Sequence, residues 1–112
     1  MSEPTSIRDQ IEAISVSMRD DPPPSVIRGH EVALAGLLWR VNKELIAAEI
    51  AFRRAVNEAE SDSESGRERI AKGGDAYARF LEAQVTQKSC MEMLRTCRSS
   101  ARSVSEEMRL QR

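Results

Sequence analysis

The 112-residue chain is 40% hydrophobic and 31% charged, with a formal net charge of −1. That is the composition of one folded domain, too short for an enzyme with separate substrate and cofactor lobes. With 4% aromatic residues and five glycines it has little material for sandwiches or barrels, so an all-α protein is expected. No run of about 18 apolar residues and no charged-then-apolar leader occurs, which predicts neither a membrane span nor a signal peptide and makes a cytoplasmic location the expectation.

The first predicted element, about residues 5–19, is a short helix. Ile7, Ile11, Ile14 and Met18 recur at steps of four, three and four and make one apolar stripe. Thr5 or Ser6 can cap it, with Asp9 in its first turn where a negative charge suits the helix dipole. "DDPPPS" then predicts a stiff elbow over residues 20–25, because Pro22, Pro23 and Pro24 lack amide donors and push the residues before them out of the α region.

A second helix is predicted over about residues 26–60, with Ser25 as its candidate cap. Its seam is Leu34, Leu38, Val41, Leu45, Ala48, Phe52, Ala55 and Ala59, alternating steps of four and three. That is the a/d pattern of a coiled coil. Residues 61–74 read as the turn, with "SDSESG" at its start.

The third predicted helix covers about residues 75–111. Phe80, Gln87, Leu94, Ala101 and Met108 interleave with Ala76, Ala83, Cys90, Cys97 and Val104 as a second seam. Two long helices and a short turn should fold back as an antiparallel hairpin. Pairing outward from the turn sets Leu34 near the middle nineties and leaves the end of the third helix overhanging, free to receive the first helix or another protomer.

Trp39, Ile46 and Ile50 fall off the seam at steps of seven and four. Large apolar side chains there need cover, which predicts a homo-oligomer, with Trp39, Ile46, Ile50, Ile7, Ile11, Ile14 and Met18 as interface candidates. Cys90 and Cys97 lie seven apart, roughly 10 Å along a helix axis at 1.5 Å per residue, which is beyond disulfide reach. They are expected as small core residues; an intermolecular bridge or a reactive thiol are the other readings.

Charge is unevenly placed. Residues 1–66 hold 7 Lys and Arg against 12 Asp and Glu, a balance of −5, while residues 67–112 hold 10 against 6, a balance of +4. The basic excess includes Arg95, Arg98, Arg102, Arg109 and Arg112, which follow one flank of the third helix. They read either as a stripe for phosphate or an acidic protein, since the guanidinium fork suits both, or as a wet flank favoured near a helix C-terminus. The acidic front half, with Asp9, Glu12, Asp20 and Asp21, is a partner available in another copy.

No catalytic, cofactor or metal site is expected. His30 is the sole histidine, beside Gly29 and Glu31, and reads as a surface residue near a helix start. "AKGGD" lacks the spacing of a phosphate loop. Glu106 and Glu107 are adjacent in sequence and so point to different sides of a helix. Nucleic-acid binding is possible but not favoured, because exposed rings for stacking are scarce.

"ELIAAEIAFRRAVNEAE", then after a polar turn "GDAYARFLEAQVTQKSCMEMLRTCRSSARSVSEEMR", resembles small helical-hairpin proteins encoded by tailed bacteriophages. The likeness is one of pattern over about residues 31–112: an acidic, Ala-rich outward helix and a longer return helix with Arg before its end. It implies a protein of the host bacterial cytoplasm, among functions of phage DNA replication and recombination, and transfers no functional residue. The expectation is a non-enzymatic interaction protein that assembles and contacts a protein partner. Its rivals are an inhibitor of a host protein and a virion or assembly factor.

Overall fold

The computed structural model describes residues 6–110, which form four helices: α1 (Ile7–Met18), α2 (Pro24–Glu58), α3 (Glu64–Lys72) and α4 (Asp75–Leu110). No strand occurs among the described residues. α2 and α4 run antiparallel and pack against each other as a hairpin, the all-α architecture that the two seams predict.

α1 begins as its sequence suggests. The Ser6 hydroxyl oxygen accepts the Asp9 amide at 3.1 Å and satisfies one of the donors a helix start leaves open. Thr5, the other candidate cap, lies outside the described residues. The elbow is shorter than expected. Asp21 takes a left-handed backbone, φ 47°, a conformation that Asp tolerates better than most residues, and α2 starts at Pro24. A proline at a helix start forfeits a hydrogen bond that would be missing anyway, and its φ is already helical. Ser25 therefore sits inside the first turn of α2 and is not its cap.

The predicted turn over residues 61–74 is where sequence and structure part. It contains α3, capped by Ser63, whose hydroxyl oxygen accepts the Gly66 amide at 3.0 Å. Glu64 lies in its first turn, and Arg69 and Lys72 in its last, matching the helix dipole at both ends. A β-carbon at Gly66 would crowd the Ser61 and Ser63 hydroxyls, so a larger residue there would have to displace them, the Ser63 cap among them.

The chain divides into two compact units. One comprises α1, α2 as far as Trp39, and α4 from Lys88 onward. Its core holds Ile7, Ile11 and Ile14 from α1, Ile27, Leu34 and Leu37 from α2, and Cys90, Leu94 and Cys97 from α4. Leu34, Cys90 and Cys97 have no exposed surface, and the Cys90 thiol donates to the Leu34 carbonyl at 3.5 Å. Leu34 thus sits beside Cys90, about one helical turn short of the middle nineties. Ser17 meets the His30 ring at 2.9 Å, which ties the end of α1 to α2. His30 is accordingly half-buried, not the surface residue its neighbours suggested.

The other unit is Arg40–Gln87. Phe52 lies against Tyr77 and Phe80, with ring centroids at 5.0 and 5.7 Å in tilted geometries that suit aromatic pairs. The Gln87 amide donates to the Asn42 side-chain oxygen at 2.7 Å. Val41, Ala71 and Thr86 are buried, and the Thr86 hydroxyl is satisfied by the Glu82 carbonyl at 2.9 Å.

Candidate interaction site

Ile7, Ile11 and Ile14, expected as possible interface residues, are covered by the chain's own core, and Met18 is half-buried. α1 supplies a face to its own unit and does not need a second protomer to hide that face. Nor does α1 lie on the end of α4: residues 105–110 are exposed throughout, while the N-terminal half of α1 borders Ser89 in one surface recess.

The apolar residues off the seam of α2 stay in solvent. Trp39 is 63% exposed, Ile46 59% and Ile50 54%, and Val32, one heptad before Trp39, is 74% exposed. A helix that buries one stripe and still shows large apolar side chains on the other side is not the usual amphipathic surface helix. Two glycines share the Val32 and Trp39 face: Gly29, Val32, Gly36 and Trp39 follow at steps of three, four and three. Both glycines are exposed, neither has positive φ, and a β-carbon added at either would meet nothing within 4 Å. Each costs about 1 kcal/mol against alanine in a helix interior, and nothing within the protomer calls for either.

On α4, Arg95, Arg98, Arg102 and Arg109 are all exposed; Arg112 lies outside the described residues. Ion pairs among the described residues do not involve Arg95, Arg98 or Arg102. At about 100° per residue, Arg98 lies about 180° around α4 from Ser89, the residue that borders α1. By the same spacing Arg95 lies about 120° and Arg102 about 140° from Ser89, so none of the three shares the flank of α4 that Asp9 and Glu12 border. Any carboxylate they meet from α1 must come from another molecule.

The cysteines are core residues. Burial raises both thiol pKa values, and the Glu31 carboxylate raises that of Cys97 further. Neither thiol should react with a water-soluble alkylating reagent until the protein unfolds, which mass spectrometry along a urea series will show. The same shift makes stability fall as pH rises past the ordinary thiol range near 8.5, because unfolded thiols release protons there while folded ones retain them. The urea midpoint should drop between about pH 8 and about pH 10 for this reason, and drop less in a Cys90→Ala, Cys97→Ala variant.

No group of three His, Cys, Asp or Glu side chains among the described residues is placed to hold a metal ion, and no described helix is long and apolar enough to cross a membrane. Compared with protein-family models, curated proteins and solved structures, the chain matches none.

Proposed function

We propose that this is a non-enzymatic helical interaction protein, which associates with copies of itself and engages an acidic protein surface through Arg95, Arg98 and Arg102. The observation that carries the reading is the exposure of Val32, Trp39, Ile46 and Ile50 on a helix whose opposite stripe is already packed. Exposed apolar surface of this kind marks contact sites on soluble proteins. The arginines supply a separate, basic surface that makes no ion pair among the described residues, which leaves their guanidinium groups available to a docked carboxylate-rich partner. The sequence resemblance to phage hairpin proteins supports phage DNA replication or recombination as the setting for that partner.

Light scattering at micromolar concentration tests the first half: a species larger than the monomer is expected, and a stable monomer sinks it. A pull-down from bacterial lysate tests the second half. An acidic protein recovered in stoichiometric amount by the natural chain should be lost when Arg95, Arg98 and Arg102 are all changed to Glu. Retention of that protein by the reversed variant would remove the arginines from the contact.

A further inference from the structure

We infer that a second copy of this chain docks antiparallel on the Gly29, Val32, Gly36 and Trp39 face of α2, across a twofold axis level with Leu34. The inference rests on the self-association just proposed and names the surface that makes it. The face alternates small and large: two glycines with open space where side chains would be, and two side chains that stand in solvent, Val32 at 74% and Trp39 at 63% exposure.

The order is self-complementary. Antiparallel helices related by a twofold axis pair residues whose numbers share one midpoint. Gly29 with Trp39 and Val32 with Gly36 have the same midpoint, residue 34. Both large side chains of each copy then drop onto glycines of the other, and both glycines are used. A partner of unrelated sequence has no reason to match that palindrome.

The flanks agree with the pairing. Ala33 and Ala35 border the face near its centre and let the two backbones approach, as small residues do in close helix crossings. Arg28 and Arg40 share that midpoint too, so the arginines of the two copies come level with each other, but they lie about 120° apart around the helix, one on each flank of the face. Close approach also accounts for glycine at two heptad-spaced positions in a helix interior, where alanine is otherwise the better residue.

Sedimentation equilibrium of the full chain, compared with a Gly29→Leu, Gly36→Leu variant and a Trp39→Ala variant, tests this. The natural chain should dimerise reversibly at micromolar concentration. Filling the two notches should weaken the dimer at least ten-fold, while helicity stays equal or rises because leucine is a stronger helix former than glycine. Trp39→Ala should weaken it at least ten-fold by removing the large side chain instead. A leucine variant that self-associates as tightly as the natural chain overturns the docking face and leaves self-association standing. A natural chain that stays monomeric overturns both.

Discussion

Leu34→Ala is expected to destabilise the protein by about 3 to 4 kcal/mol, read as a shift of the urea midpoint with little change in slope. Leu34 has no exposed surface and packs beside Cys90, which also has none, so the shortened side chain leaves a cavity that rigid helix backbones cannot close. A domain of this size is stable by about 5 to 15 kcal/mol, so the loss is a large share of the total. The cavity also adjoins the Cys90 thiol, which should alkylate measurably faster in this variant. Met108→Ala is the matched control. Met108 occupies a seam position by its spacing, yet it is 59% exposed, and its truncation should change stability by less than about 0.5 kcal/mol. Equal losses at the two positions would contradict the burial difference.

The pair explains which parts of the fold could be read from the chain. A heptad pattern reports the direction a side chain points, and for direction it served well. Every residue of the first predicted seam, from Leu34 to Ala59, is buried or half-buried, as is every seam residue of α4 from Ala76 to Val104. It does not report how far the opposing helix extends. α2 begins at Pro24, and the seam of α4 continues past the last residue it can cover, which leaves Met108 in solvent. Leu37, 5% exposed, shows the complementary omission: it lies off the two-helix seam and is buried all the same.

α3 was hidden by composition. Its Ser, Glu, Gly and Arg residues are those of a loop, and a nine-residue helix with one buried side chain, Ala71, has too little apolar periodicity to stand out. The capping chemistry was nevertheless present, with Ser63 ahead of Glu64 and with Arg69 and Lys72 at the far end. The candidate site divides the same way. Exposure of Trp39, Ile46 and Ile50 followed from their place off the seam, and so did exposure of the arginines. The meaning of Gly29 and Gly36 did not, because only the open space around them separates them from a glycine whose β-carbon position is crowded by its own chain, such as Gly66.

Phe52→Ala should cost about 2 to 3 kcal/mol, the second large loss, and its effect should be local. The Arg40–Gln87 unit has few fully buried side chains, and three of the chain's four aromatic residues meet at Phe52. Because Phe52, Tyr77 and Phe80 are only half-buried, the expected loss sits below that of a Phe removed from a fully closed core. Removing the shared ring deletes both aromatic contacts at once, each worth about 0.5 to 1.5 kcal/mol beyond the area it buries. Phe52→Leu keeps most of the apolar area and should recover about half of the loss. Native-state hydrogen exchange gives the decisive readout. Amides within Arg40–Gln87 should lose protection in Phe52→Ala at denaturant concentrations where Cys90 and Cys97, in the other unit, still resist alkylation. Simultaneous exposure of amides and thiols would mean that the two units open as one, and the aromatic cluster would then be a support of the whole chain and not of its own unit.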